Sequence, residues 1–586
     1  MDTPSQPARR IVVVGGVAGG MSFAARARRL DESAAITVLD RGRHVSFANC
    51  GLPYHLDGEI SDGSALTLRT PESFRPSRID VRIGHDVVAL DPHARTVTIE
   101  VSDADGVRTE TIEYDELLLS PGGRTIVPHV EGLAAGFASG RVRTMRTVDD
   151  ATGLRADILA ARARTAVVVG AGFIGLEAAE TLAEAGLEVT LVQRSRQILP
   201  PLERELAHLV AEEARRLGIR VLTGRQLRAY RAGTDGSDVV VLDDGTELPA
   251  DATVIATGIT PDTDVFAAAG VECDAGAILT DDHGRTNLEH VWAVGDATAR
   301  PTPVTGATRA TALAGPANRA GRLVADAMLG ENARPLPPAQ GTAVVRVGNL
   351  TAAMTGANRA ELDATGTAYE TLHLHPLQHA GYFPGAEQIH LLVHIGPDGR
   401  LLGAQAVGRD GVDKRIDVIA TAMRGGLDVA DLIDLDLAYA PPYGSAKDPV
   451  NFVGMLGENV TSGLVRLWHA ADAAALAGAL VLDVRNPDEV ASGTPPGALV
   501  IPVNELRGRL AEVFAAAEHD DGARPIRILC ASGVRSAAAY RIIVQAAAAA
   551  GRSLDVATLS GGMLTLRAWH GDDVRDLLAV PEGVAA

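Results

Sequence analysis

The chain has 586 residues and a formal net charge of −20 at pH 7, which excludes a general nucleic-acid binder, because neutralising phosphates takes a basic face. Hydrophobic residues make up 46% and charged residues 22%, which excludes a disordered chain. No apolar run approaches the ~20 residues of a membrane span.

At about 100–200 residues per domain, this length predicts several domains. The start, MDTPSQPARR, reads as a frayed polar tail without the apolar core and cleavage site of a secretory leader. Three cysteines, Cys50, Cys273 and Cys530, cannot form a disulfide framework. None lies in a metal-ligand spacing, so no metal is expected. A reducing, cytoplasmic location is expected instead.

IVVVGGVAGGMSFAARARRL reads as a buried strand, a glycine turn and a helix. Gly15, Gly16 and Gly20 form the turn, and Val17 takes the place of a middle glycine. ITVLD follows as a second strand ending on Asp40, placed to accept hydrogen bonds from a ribose. TAVVVGAGFIGLEAAETLAEAGLEVTLVQRS repeats the unit with a complete Gly170, Gly172 and Gly175 pattern. Such glycines let the backbone approach a pyrophosphate at a helix N-terminus. Two units of this kind predict two bound dinucleotides. The second unit ends on Gln193, Arg194, Ser195 and Arg196, with no carboxylate. Arg194 and Arg196 suit the 2′-phosphate of NADPH, with solvated surface arginines as the alternative.

EYDELLLSPGGRT, DATVIATGITPDTD and HVWAVGDAT read as further strands, each running into glycine. ENARPLPPAQG, near residues 331–341, reads as a linker. AVVRVGNLTAAMTG and QIHLLVHIGPDGRLLGAQAVG alternate like strands of an α+β domain. TSGLVRLWHAADAAALAG reads as a connector, and ALVLDVR opens a last small α/β module.

Cys50 lies in SFANCGLPY. That segment, the two nucleotide motifs, ATG at 256–258 and VGDA at 294–297 (with Asp296) resemble the single-cysteine branch of the flavin disulfide reductases. Within that branch the chain is similar to coenzyme A disulfide reductases fused to a rhodanese domain. HAGYFPGA at 379–386 and YAPPYGSAKDPVN at 439–451 resemble that family's dimerisation domain.

The resemblance implies an α/β fold with two Rossmann-like domains binding FAD and NADPH or NADH. An α+β dimerisation domain and a C-terminal rhodanese-like α/β domain follow. The expected boundaries are 1–120 with 250–330 for FAD, 121–249 for NAD(P)H, 335–460 for dimerisation and 470–586 for rhodanese. The VGDA strand is expected to return to the FAD sheet.

It also implies a mechanism. Electrons pass from NAD(P)H through FAD to a sulfur bonded to Cys50, and that sulfur belongs to coenzyme A. Dithiol relatives carry CxxxxC, whereas here the residues around the partner position, Tyr54 among them, offer no thiol. The family's CoA positions map onto Ser22, Arg26, Arg29, Ser46, Asn49 and Arg78. Its active-site tyrosines map onto Tyr382 and Tyr439, acting across a homodimer, while Phe383 replaces a second tyrosine.

Cys530-Ala531-Ser532-Gly533-Val534-Arg535-Ser536 resembles the rhodanese active loop. Its backbone N–H groups would stabilise a persulfide on Cys530, and Arg535 would add positive charge. Thr494-Pro495-Pro496-Gly497 departs from the usual His-Ile-Pro-Gly. The expected substrates are CoA persulfide, polysulfide or CoA disulfide. A water-forming NADH oxidase or NADH peroxidase, and a non-catalytic flavin sensor or sulfur carrier, are the alternatives.

Overall fold

The computed structural model describes residues 8–579 except 104–105, 162, 234–237, 331–332 and 520–521. Most of the expected N-terminal tail and the first two residues of the Pro-rich linker lie outside the described residues. The chain divides into two units, Met1–Arg196 with Leu217–Gly341, and Gln197–Arg216 with Thr342–Ala586.

The first unit holds two parallel sheets. β1 (Arg10–Val14) is buried from Ile11 to Val14, as befits a central parallel strand with both faces covered. It lies between β2 (Ala35–Asp40) and β4 (Glu116–Leu119), with β3 (Ile79–Ile83) beyond β2. The strand Val291–Ala293 returns beside β4. Between β1 and β2 runs α1 (Ala18–Leu30). The helix Ala314–Leu329 crosses α1 closely, and a Cβ on its Gly321 would strike the Gly19 carbonyl. The second sheet centres on β5 (Thr165–Val169), flanked by β6 (Glu188–Gln193) and β8 (Ala252–Ile255), with β7 (Arg220–Thr223) at one edge. α2 (Phe173–Glu184) joins β5 to β6.

The second unit begins with α3 (Arg204–Arg216), which buries Leu206, Ala207, Val210, Ala211 and Ala214 on one face. An antiparallel sheet follows in the order β9 (Ala343–Val347), β10 (Leu350–Gly356), β13 (Leu401–Gly408), β12 (His390–Ile395) and β11 (Glu370–Leu374). α4 (Val412–Gly425) and α5 (Pro449–Thr461) share its core, which is rich in Val, Leu and Ile.

The last module is a parallel sheet in the order β14 (Leu467–Trp468), β18 (Val556–Leu559), β17 (Ile526–Leu529), β15 (Leu480–Asp483) and β16 (Leu499–Val500). β14 lies in the stretch read as a connector. Two residues are too short for the alternation that marks a strand, and pairing with β18 is what makes them one. α6 (Val534–Ala549) and α7 (Gly562–His570) complete the module. Among the described residues no helix is long and apolar enough to cross a membrane.

Candidate active sites

The two glycine turns share a plan. Gly15 and Gly170 have left-handed φ values of +98° and +106°, where a Cβ would strike the backbone of Ser120 and Ala256. Gly20 and Gly175 each lie against the carbonyl of the turn's first glycine. Gly172 differs: a Cβ there meets nothing within 4 Å. Its smallness serves no packing among the described residues and leaves room for an approaching group. Neither α1 nor α2 has a side-chain cap or an acid in its first turn. Both helix ends therefore offer N–H groups to an anion, which fits a dinucleotide pyrophosphate.

The second strand of each unit anchors its turn. Asp40 accepts the Gly16 N–H at 2.7 Å and the Gly42 N–H at 2.7 Å. Burial pushes its carboxyl above the usual range, against the pull of those two bonds. At the second glycine turn Gln193 does the equivalent work. Its carbonyl oxygen accepts the Ala171 N–H at 2.8 Å, and its amide donates to Ser195 Oγ at 2.6 Å. The anchor is kept without a negative charge. Arg194 and Arg196 stand exposed nearby in the chain. Asp296 follows the returning strand, and burial pushes its carboxyl upward, partly offset by Arg146.

Cys50 sits exposed on a short turn, Asn49–Gly51. Although the residue is exposed, desolvation of its thiol by the atoms around it, then the charges of Glu177 and Asp296, push the thiol upward. Glu177 also accepts from Tyr54 Oη at 3.2 Å. Asn49, with its amide turned so that both atoms are satisfied, donates to Arg146 O at 3.0 Å and accepts from the Arg146 guanidinium at 3.1 Å. Cys273 is half-buried, and its thiol meets the Val271 carbonyl at 3.6 Å.

Besides Asn49 and Ser46, the proposed CoA positions form two pairs. Ser22 meets Asn318 at 2.5 Å and Arg26 pairs with Asp326 at 2.6 Å, so both tie α1 to the helix Ala314–Leu329. Arg29 and Arg78 are exposed, and Arg78 lies 3.6 Å from Glu32. Ser46 and Arg78 have left-handed φ values of +49° and +50°, a strain that clusters at binding sites. Arg28, absent from the sequence reading, braces this region. It is buried and donates to the carbonyls of Ser77 and Arg78, as well as to those of Asp31, Glu32 and Ala34. Its neighbours in ARARR hid it, since nothing in that run marks which arginine turns inward.

In the second unit the hydroxyls of Tyr382 and Tyr439 meet at 3.1 Å, although 57 residues separate them. That bond, with some desolvation, raises the Tyr382 phenol. Both rings are exposed, Tyr382 to 76%. Tyr439 lines a cavity of about 470 Å³ with Tyr443, Gln378, Lys414 and Arg415.

The Cys530 loop is tightly built. Gly533, left-handed at +92°, donates its N–H to Cys530 Sγ at 3.2 Å. The thiol donates to Ser536 Oγ at 3.4 Å. Cys530 is fully buried, while Val534 at the loop's lip is 75% exposed. Arg535 forms a two-pronged pair with Glu489, both at 2.6 Å, and this bond raises the guanidinium. Its positive charge is thus shared with a carboxylate that the sequence reading did not name, 46 residues away. Thr494, the departure from the family pattern, donates its hydroxyl to Asp483 Oδ2 at 2.8 Å, beside the Asp483–Arg485 pair.

The model of the pyridine nucleotide-disulphide oxidoreductases matches residues 9–311. That family's dimerisation domain matches 342–449, and the rhodanese-like domain matches 467–568. The chain is 32% identical to the coenzyme A disulfide reductase of Staphylococcus haemolyticus (strain JCSC1435) over 449 residues, 76% of this chain and 98% of that one. Among solved structures it resembles reduced Bacillus anthracis CoADR-RHD, with a TM-score of 0.90 and 36% identity over 98% of this chain and 99% of that one. It also resembles an NAD-dependent persulfide reductase from A. fulgidus, with a TM-score of 0.84 and 33% identity over 95% of this chain and 99% of that one.

Proposed function

Because the chain belongs to the pyridine nucleotide-disulphide oxidoreductases, we propose that it uses NAD(P)H to reduce the sulfur–sulfur bond of CoA persulfide, polysulfide or CoA disulfide. The observation that carries this reading is the pairing of two different sulfur sites in one chain. Cys50 is exposed and stands without a second cysteine nearby in sequence. Cys530 is buried, with a backbone N–H aimed at its sulfur.

FAD, when bound, passes two electrons from the nicotinamide to sulfur. The N-terminus of α1 would hold its pyrophosphate, Asp40 its ribose, and Asp296 would lie beside it. The N-terminus of α2, with Gly172, would hold the nicotinamide cofactor. Uncharged Gln193 with Arg194 and Arg196 supports NADPH over NADH. Cys50 would displace one sulfur of CoA disulfide, forming a mixed disulfide with CoA and releasing a CoA thiolate. Arg29 and Arg78 would meet the CoA phosphates, with Ser22, Arg26, Ser46 and Asn49 lining the approach. Tyr382 and Tyr439, supplied by the partner in a homodimer, would give a proton to the departing thiolate. Cys530 would take sulfane sulfur from a donor and pass it to CoA. A cytoplasmic setting suits this thiol chemistry.

Anaerobic oxidation of NADPH by the FAD-loaded chain tests the reading. Turnover with CoA persulfide or CoA disulfide is expected. Turnover with oxygen or peroxide alone would establish an oxidase or peroxidase instead, and flavin reduction without turnover a sensor. Cys530→Ala should keep reduction of preformed CoA persulfide and lose sulfide release from thiosulfate. Equal sulfide release by both proteins would discard the sulfur relay.

A further inference from the structure

The Cys530 loop is backed by the turn Ser560–Gly562, and the antiparallel sheet holds that turn from behind. The loop's carbonyls are capped by the start of α7: Met563 donates to Cys530 O at 2.8 Å and Leu564 to Ala531 O at 3.0 Å. Gly533, whose N–H points at the sulfur, lies against Gly561. A Cβ on Gly533 would come within 3.3 Å of Gly561 N. Gly561 and Gly562 are both left-handed, at +69° and +63°. A Cβ on Gly561 would strike Thr565 Oγ1, His373 Cβ and His375 Nε2. The order outward from the sulfur is therefore Gly533, Gly561, then two histidines from β11 and its end.

Those histidines are themselves fixed. Ser560 Oγ accepts the His373 backbone N–H at 3.1 Å and lies 2.8 Å from His373 Nδ1. His373 Nε2 reaches Glu205 of α3 at 2.8 Å, and Arg359 donates to the same carboxylate oxygen at 3.0 Å. His375 Nε2 meets Thr565 Oγ1 at 2.9 Å, and its Nδ1 meets His390 Nδ1 at 2.9 Å. His373, Ser560, Thr565 and Glu205 are all buried. Burial opposes the Glu205 charge, but His373 and Arg359 outweigh it and keep the carboxylate ionised. The Ser560 hydroxyl, which also faces the Thr371 carbonyl at 3.2 Å, thus joins the His373 ring to the turn in either tautomer. Nothing in sulfur chemistry at Cys50 uses this chain of groups.

We propose that His373 and His375 are positioning residues for the Cys530 sulfurtransferase site. They seat the Gly561 turn against Gly533, so that the Gly533 N–H stays aimed at the sulfur. The proposal rests on the sulfurtransferase reading given above. In that reaction the Cys530 thiolate attacks the outer sulfur of thiosulfate, forming a persulfide and releasing sulfite. Cyanide then takes the sulfur as thiocyanate and restores the thiolate. The N–H that faces the sulfur stabilises the anion in both states. Tilting it should slow turnover more than it weakens thiosulfate binding.

The test is thiosulfate-to-cyanide transfer by the FAD-loaded full chain. His373→Ala and Ser560→Ala should each lower kcat about tenfold and leave KM within about twofold. The double variant should lose little more than either single one, because both changes break one link. His373→Asn, whose amide can stand where Nδ1 stood, should recover most of the rate. Reduction of CoA disulfide through Cys50 should be unchanged throughout. Should His373→Ala fold poorly, Ser560→Ala and His373→Asn carry the comparison. Wild-type kcat in both single variants would overturn the proposal alone. A loss that appears wholly in KM, or that His373→Asn does not relieve, would also overturn it. A wild-type chain that transfers no sulfur from thiosulfate, glutathione persulfide or polysulfide would overturn the sulfurtransferase reading and this proposal with it.

Discussion

Desolvation and the carboxylates of Glu177 and Asp296 raise the Cys50 thiol, so the protein groups around it oppose its ionisation. Cys50→Ser should retain FAD and be reduced by NADPH at the wild-type rate, because hydride transfer needs no thiol. Its steady-state reduction of CoA persulfide should fall by roughly 10³-fold or more. Stopped-flow absorbance separates the two steps, and retained turnover would remove Cys50 from the mechanism. Nucleotide choice is also a matter of single residues. Arg194→Ala should raise KM for NADPH about tenfold and leave NADH unaffected. Equal changes for both cofactors would show that Arg194 does not read the 2′-phosphate. Cys50 and Arg194 were singled out because their neighbours in sequence form a pattern. The second task of Gln193, anchoring Ala171 from 22 residues away, was not legible there. The same holds for Arg535, whose partner Glu489 is set by folding rather than by spacing.

Among elements, the glycine turns show how much a motif says and withholds. Their positions were plain in the sequence, but their division of labour required the backbone. Gly170 and Gly175 are needed by the fold, whereas Gly172 faces open space. Gly172→Ala should therefore leave the melting temperature within about 2 °C and raise KM for NADPH more than tenfold. Gly175→Ala should destabilise the chain outright, since its Cβ would strike the Gly170 carbonyl. Unaltered nucleotide kinetics in Gly172→Ala would place the cofactor elsewhere. The histidine pair between β11 and β12 is a different case, invisible in sequence because its partners come from distant segments. Burial pushes His390 down to about 4 and, with the nearby His390, pushes His375 well down. In the unfolded chain both titrate near pH 6.5. Between about pH 4 and 6.5 the unfolded state binds more protons, so stability rises with pH across that window and levels off above it. His390 alone contributes up to about 3 kcal/mol. Urea melts at pH 5 and pH 7 should differ in that direction, and His390→Gln should narrow the gap. A gap unchanged in His390→Gln would assign the dependence to other groups.

At the scale of the whole molecule, the tyrosine pair and Cys50 belong to different units, and the dimerisation domain supplies the reason to look for a second copy. Mixing two inactive proteins tests trans action directly. Cys50→Ser and the double variant Tyr382→Phe/Tyr439→Phe should each be slow alone. Refolded together in equal amounts, about half the dimers should be mixed, each with one site free of both defects, and activity should return toward about a quarter of the wild-type value. No recovery in a mixture shown by sedimentation to contain mixed dimers would place the tyrosines in cis or outside the chemistry. The order of domains along the chain was legible from motifs, but the membership of α3 was not. α3 precedes β7 in sequence yet packs in the second unit, where Glu205 reaches His373 across 168 residues. That detour has a consequence for synthesis. At about 5–20 residues per second, α3 leaves the ribosome on the order of ten seconds before its partners exist. For that interval its apolar stripe and its inward Glu205, whose partners are Arg359 and His373, have nothing to dock on. The nascent chain thus carries an exposed, half-charged helix at its middle, which is where a chaperone would be expected to bind.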